Sequence, residues 1–169
     1  MTEQTVGSEP ALNLKFISHG TLEVRDIDAS RKFYEEFLGF ETVKTSKMSL
    51  WVRLGGDHIY VAVKAPAGEK SQMPFLYHNG LDVYSDKEVD QAYEVVLRDA
   101  EKWNLHDITK PMVQHGSYSF YFRDMDENYW EILSNPKGGY GWMFERGDQA
   151  GVGHLSRKFE RPDLDEADA

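Results

Sequence analysis

One pattern occurs twice in this chain, and the duplication limits the fold more than any other feature of the sequence. His19-Gly20-Thr21-Leu22-Glu23-Val24 is answered by His78-Asn79-Gly80-Leu81-Asp82-Val83, both reading His-x-x-Leu-acid-Val at an offset of 59 residues (19 to 78). A short polar turn and a helical pattern follow each copy. In the first, Asp28 is placed to cap a helix carrying Phe33, Tyr34, Phe37 and Leu38 on one face, with Gly39 to end it. In the second, Ser85 and Glu88 have capping-box spacing ahead of Val89, Ala92, Tyr93, Val96, Leu97 and Ala100.

Beyond the helices the repeat resumes at an offset of 70 (49 to 119): Ser49-Leu50-Trp51-Val52-Arg53 faces Ser119-Phe120-Tyr121-Phe122-Arg123. The turn residues Gly55-Gly56-Asp57 face Met125-Asp126-Glu127, and the flanking segments read as β-hairpins. The change of offset from 59 to 70 places 11 extra residues in the second copy, within Glu101 to His115. Each module is therefore strand, helix and three strands, too small to bury its sheet alone. The expected fold is α+β, two tandem βαβββ modules whose mixed sheets face each other around a cup.

The expected boundaries are a mobile N-terminal arm over 1-13 and a single domain over 14-135. Within the domain, module one covers 14-65, a Pro- and Gly-containing linker 66-74, and module two 75-135. A C-terminal extension, 136-169, ends in an acidic tail. Its Tyr140, Trp142 and Phe144 are too aromatic for a disordered segment and are expected to cover the cup mouth or a subunit contact.

Composition narrows the chemistry. With 29 Asp and Glu against 19 Lys and Arg, a net charge of −10 disfavours nucleic acid and anionic membrane as partners. No window approaches the roughly 18 apolar residues of a membrane span, and the N-terminus lacks the marks of a signal peptide, so a cytoplasmic protein is expected. The chain has no cysteine, so any metal must be held by nitrogen and oxygen.

The repeat sets His19 and His78 at equivalent strand starts, side by side at the expected module junction. Glu131 lies in the apolar strand Asn128-Tyr129-Trp130-Glu131-Ile132-Leu133, where a carboxylate is costly unless a cation compensates it. Two imidazoles and a carboxylate form a facial triad that leaves positions on a metal ion open.

His-x-x-Leu-x-Val-x-Asp, Ser30-x-x-Phe33-Tyr34 and Leu38-Gly39-Phe40, with Ser119-Phe120-Tyr121-Phe122-Arg123-Asp124 leading to Glu131, resemble the vicinal oxygen chelate superfamily. That superfamily contains glyoxalase I, extradiol dioxygenases, fosfomycin-resistance enzymes, methylmalonyl-CoA epimerase and bleomycin-binding proteins. The likeness covers residues 14 to 135. It implies paired βαβββ modules and a metal, with His19, His78 and Glu131 at the family's ligand positions.

Two departures stand out. The fourth ligand of glyoxalase-like members maps onto Val61, and Asp124-Met125-Asp126-Glu127-Asn128 lacks the proline and glycine of the family's Asp-Pro-Asp-Gly-Asn.

By the same resemblance Tyr121 matches a tyrosine that hydrogen-bonds a substrate hydroxyl in extradiol dioxygenases; a core aromatic, like its repeat partner Trp51, is the alternative. His58 matches a second-sphere acid-base histidine, although its parity points it away from the face of Val61. His115 reads as a loop histidine able to reach the rim, and His106 and His154 as solvent-exposed. Arg53 and Arg123 are expected to pair with Asp57 and with Asp124 or Asp126.

The resulting expectation is a single-domain extradiol-type dioxygenase for a catechol-like aromatic, using a divalent metal, Fe(II) before Mn(II), Zn(II), Ni(II) or Co(II). A glyoxalase- or epimerase-type lyase or isomerase, with Glu23 as a displaced base, and a metal-free bleomycin-resistance-type binding protein are the alternatives. Exposed sheet edges, and the module pairing of relatives, make a homodimer the expected assembly.

Overall fold

The computed structural model describes residues 11, 12, 14–66, 72–136, 139–151, 153–155 and 159–163. Most of the expected arm, the middle of the linker, the end of the acidic tail and the His154 side chain lie outside the described residues.

Module one comprises β1 (His19–Val24), α1 (Ile27–Glu36), β2 (Glu41–Ser46), β3 (Ser49–Arg53) and β4 (Ile59–Lys64). Module two comprises β5 (Asn79–Val83), α2 (Asp86–Trp103), β6 (Met112–Gln114), β7 (Ser117–Arg123) and β8 (Tyr129–Ser134). The strand orders are β1-β4-β3-β2 and β5-β8-β7-β6, with the first pair of each sheet parallel and the others antiparallel. Both sequence offsets reappear as backbone register: Thr21 faces Val61 as Gly80 faces Glu131, and Trp51 faces Val61 as Tyr121 faces Glu131.

The helices begin where short polar side chains bind free backbone N–H groups. Asp26, not Asp28, caps α1, its Oδ1 accepting from the backbone N of Asp28 and Ala29. Asp28 falls in the first turn, where its carboxylate accepts instead from Lys44 Nζ. In α2, Ser85 accepts from Glu88 N, while Glu88 reaches back to Tyr84 N, one residue earlier than a capping box requires. The extra length of the second copy goes largely into α2, 18 residues against 10 in α1.

A single core joins the modules. Phe33, Tyr34 and Phe37 of module one meet Trp103, Trp130 and Phe122 of module two at ring-centroid distances of 5.8–6.4 Å. Strand alternation sends Leu22, Leu50, Val52, Phe120, Phe122 and Trp130 into this core. It therefore sends Thr21, Trp51, Val61, Tyr121 and Glu131 to the opposite faces, away from the contact between modules.

The β7–β8 turn locks the modules together. Asp124 accepts from Asp126 N, Asn128 N, Asn128 Nδ2 and Trp130 Nε1. Asn128 Nδ2 also donates to the Glu23 carbonyl, and Arg25 N donates to Asp126. In place of the family's glycine, Glu127 occupies the left-handed region at φ 71°. The strain is held by its neighbours: Arg25 and His106 bind its carboxylate and Arg123 its carbonyl.

Candidate metal centre

Glu131 and Tyr121 are opposite one another on the outer face of the module-two sheet, and His78 immediately precedes β5, next to β8. Glu131 is 5% exposed and Tyr121 3%. His78 Nε2 lies 3.3 Å from Glu131 Oε2, and the His78 and Tyr121 rings meet at 5.0 Å. A short 3-10 turn, Phe75–Tyr77, sets Phe75 against Tyr121 and Tyr129.

Electrostatics fix the character of each group. The His78 Nδ1 is 2.9 Å from the Phe75 carbonyl, which can only accept, so Nδ1 carries the proton. In the neutral ring, Nε2 then presents its lone pair to the Glu131 carboxylate. Burial, followed by the charge of Glu131 and a hydrogen bond to it, pushes the Tyr121 phenol far above its usual range. Tyr121 is thereby held as a phenol beside the Glu131 carboxylate.

A cleft of about 400 Å³ opens here, lined by His78, His115, Glu131, Tyr140, Met143 and Phe144. All of them belong to module two and the C-terminal segment. The matching face of module one, with Val43 and Trp51, borders a separate groove.

The structure thus unites His78, Glu131 and Tyr121 but leaves His19 apart. His19 is exposed at the start of β1, with its Nδ1 2.8 Å from the Ser18 hydroxyl. Among the described residues no three His, Cys, Asp or Glu side chains approach closely enough to hold a metal ion. Among the described residues, the cleft beside Glu131 takes no lining from module one of the same chain, and the two modules meet through the aromatic rings of their helix-covered sides. Equivalent histidines therefore lie on outward faces and not at a shared junction.

His58 follows its parity. It shares the side of Tyr60, its ring edge-on at 5.3 Å and its Nδ1 3.2 Å from the Ile17 carbonyl, in a groove bounded by Phe40 and Gly80. Within one chain it does not line the cleft, and Glu23 also lies elsewhere, beside Tyr77 and Asn128. His115 does line it, because the β6–β7 turn holds His115 and Gly116 at positive φ and bends back over the sheet. The adjacent Gln114-His115-Gly116 turn was the sequence signal for this placement.

The arginine pairings also differ from expectation. Arg53 binds Glu41 across the β2–β3 pair, and Arg123 binds Asp107 and the carbonyls of Met73 and Glu127. Asp124 has no room for Arg123, since its lone pairs are taken by its own turn. His106, expected to be solvated, pairs with Glu127 at 3.2 Å. No helix among the described residues is long and apolar enough to cross a membrane.

The donor set suits a divalent cation. An imidazole whose far nitrogen is fixed by a carbonyl, facing a buried carboxylate, is the arrangement that orients a metal-binding histidine. Two lone pairs 3.3 Å apart repel unless a proton or a cation lies between them.

A model of the Glyoxalase/Bleomycin resistance protein/Dioxygenase superfamily matches residues 16–132. A search of curated proteins finds no match. Among solved structures, a possible glyoxalase from Bacillus cereus has a TM-score of 0.58 at 24% identity, over 71% of this chain and 99% of that one. The fosfomycin resistance protein FosX from Listeria monocytogenes gives 0.56 at 22%, over 73% and 96%. A glyoxalase-related enzyme from Fulvimarina pelagi gives 0.54 at 20%, over 72% and 89%. These similarities are of fold, and together with the family match over both modules they lead to one conclusion: the chain belongs to the glyoxalase/bleomycin resistance protein/dioxygenase superfamily.

Proposed function

We propose that this protein is a metal-dependent enzyme acting on a small molecule with two neighbouring oxygen atoms. His78 and Glu131 hold the ion, and His19 of a second copy of the chain is the third ligand. The observation that carries this reading is the pair itself: a histidine with Nδ1 committed to a carbonyl, its Nε2 facing a buried carboxylate. A homodimer follows from the same reading, because His19 is exposed and the outer face of module one, with Trp51 45% exposed, is uncovered.

When bound, a divalent ion would supply Lewis acidity toward the substrate oxygens, and iron(II) would add oxygen activation. The chain's own residues do the rest. Tyr121 donates a hydrogen bond to a substrate oxygen, Phe75 keeps the His78 ring in orientation, and His115 is the group at the cleft able to move a proton. The reaction this favours is extradiol-type oxygenation of a catechol-like aromatic, since Val61 supplies no fourth ligand or base. A lyase or isomerase is the second reading, favoured by His115 as a base. In support of metal use within the fold, one relative, a mutant FosX from Listeria monocytogenes, is described in complex with Mn(II) and a dihydroxypropylphosphonic acid.

Metal analysis tests the centre. His19→Ala, His78→Ala and Glu131→Ala are each expected to lose bound metal while remaining folded, and co-expressed His19→Ala and Glu131→Ala chains to regain one site per mixed dimer. Full metal occupancy in His78→Ala would overturn the ligand set, and failure of the mixed dimer would remove the second copy's contribution. Oxygen uptake with catechols, against anaerobic turnover of a hemithioacetal or an acyl-CoA epimer, separates the two reactions.

A further inference from the structure

The repeat pairs Arg123 with Arg53, yet the two arginines end in different surroundings. The Arg53 side chain is 53% exposed and binds Glu41 across an outer strand pair. The Arg123 side chain is 7% exposed. Its Nη1 donates to the Met73 carbonyl at 2.7 Å and to the Glu127 carbonyl at 3.0 Å, and its Nε donates to Asp107 at 3.0 Å. The guanidinium also lies over the Tyr129 ring, 4.4 Å from its centroid.

Two routes lead from these contacts to the candidate centre. The first is the sheet face. Arg123 is opposite Tyr129 and Tyr121 is opposite Glu131, so strand alternation sets all four side chains on the outer face. Tyr129 stacks on Tyr121 at 5.8 Å and meets Phe75 edge-on at 5.3 Å. The second route is the backbone. Met73, whose carbonyl Arg123 holds, also donates its N–H to the Glu127 carbonyl at 3.3 Å. Pro74 follows, its φ of −59° set by its ring, and then the 3-10 turn whose Phe75 carbonyl binds His78 Nδ1. Only Pro74 separates the carbonyl that Arg123 binds from the residue that orients the His78 ring. Phe75 is 48% exposed, so burial alone does not hold this turn, whereas a charge-assisted bond shielded from water is a strong anchor.

We infer that Arg123 is a positioning residue for the metal pair. By anchoring the Met73 carbonyl and backing Tyr129, it fixes the Phe75 turn and with it the direction of His78 Nε2 toward Glu131. The inference rests on the proposed function for what Nε2 binds, but the anchoring is a property of the chain itself. Arg123 acts through the turn and the tyrosines and not at the ion. A neutral side chain at this position leaves the Met73 carbonyl without its cation and frees the turn to move the His78 ring.

Nuclear magnetic resonance of the full metal-free chain reads the anchoring directly, because a ring nitrogen bound to a carbonyl keeps its proton from rapid exchange. The wild-type chain should show a protected His78 Nδ1 proton. Arg123→Met should lose it and weaken Mn(II) binding, measured by calorimetry, by about tenfold, the low end for removing support from a metal-binding histidine. Arg123→Lys keeps the charge but not the planar fork, so its Nδ1 proton should exchange faster than in wild type and Mn(II) should bind about threefold more weakly. This variant judges the inference if Arg123→Met does not fold. Val96→Ala, in the core on α2, should lower the melting temperature yet keep the Nδ1 proton, which separates positioning from a general loss of stability. The inference is overturned if either folded arginine variant keeps wild-type proton protection or wild-type Mn(II) affinity, if Val96→Ala loses the proton as well, or if the wild-type chain shows no protected Nδ1 proton. A wild-type chain that fails to bind Mn(II), while Arg123→Met still releases the Nδ1 proton, would sink the metal reading and leave the anchoring in place.

Discussion

The two modules share a register and differ in almost everything that register presents. Glu131 occupies in module two the position of Val61 in module one, Tyr121 that of Trp51, Trp130 that of Tyr60 and Asp124 that of Leu54. In module two the outer sheet face is covered by Phe75 and the C-terminal strap, so Tyr121 and Glu131 are buried. In module one the same face is open, and Val43, Trp51 and Val63 are exposed. A duplicated backbone therefore did not produce a duplicated site. Cover over the sheet, more than the strand pairing beneath it, separates a polar cleft from an apolar surface.

The contrast can be broken most severely in the core. Trp130 is fully buried, touches Tyr34 and Phe40 and donates to Asp124, whereas Tyr60 is only partly buried. Trp130→Ala is expected to cost about 3–5 kcal/mol, and Tyr60→Ala about 1 kcal/mol. Denaturant melts of both variants measure this, and equal losses would mean that the two modules carry the core equally.

A middle-sized effect separates the hairpin turns. Burial raises the Asp124 carboxyl to about 6, despite the N–H groups that bind it. Because its folded value exceeds the unfolded value near 3.8, Asp124 contributes most below about pH 4, and that contribution declines as pH rises to about 6. Asp124→Asn should remove this slope and, by orphaning turn donors, cost about 1–3 kcal/mol at neutral pH. Leu54→Asn, on the exposed counterpart, should change stability by less than about 0.5 kcal/mol. Melts from pH 4 to 7 distinguish the outcomes, and an unchanged slope in Asp124→Asn would assign the pH dependence to other groups.

The smallest effect sharpens the comparison of the two outer faces. Val61→Glu puts a carboxylate on a face that is open to water and should shift stability by no more than about 0.5 kcal/mol. Added to Glu131→Val, it should restore metal binding only if module one of a second copy, which carries both His19 and position 61, faces His78 as proposed. A double variant that stays metal-free would mean that position 61 of the second copy does not reach the His78 site.

Much of this architecture was legible in the chain alone, and for a local reason. Strand alternation and helical periodicity are short-range, so the offsets of 59 and 70 reappear residue for residue as Thr21 opposite Val61, Gly80 opposite Glu131 and Tyr121 opposite Glu131. Parity likewise put His58 on the far side from Val61. The cross-strand pairing of Tyr121 with Glu131 follows from a tight hairpin between them. What only the tertiary structure decided was which faces meet. Aromatic rings on α1 and α2 drive the modules together through their helix-covered sides, which burial of apolar area favours. His19 is thereby kept away from His78 within one chain. The route of the C-terminal segment depends on long-range contacts, Trp142 over Gly116 and Arg161 on Asp86, which leave no periodic signal in sequence. The aromatic content of 140–144 and the Gln114-His115-Gly116 turn marked Tyr140, Phe144 and His115 in sequence for the cup mouth, a subunit contact or the rim; these long-range contacts decided that they, with Met143, line the cleft.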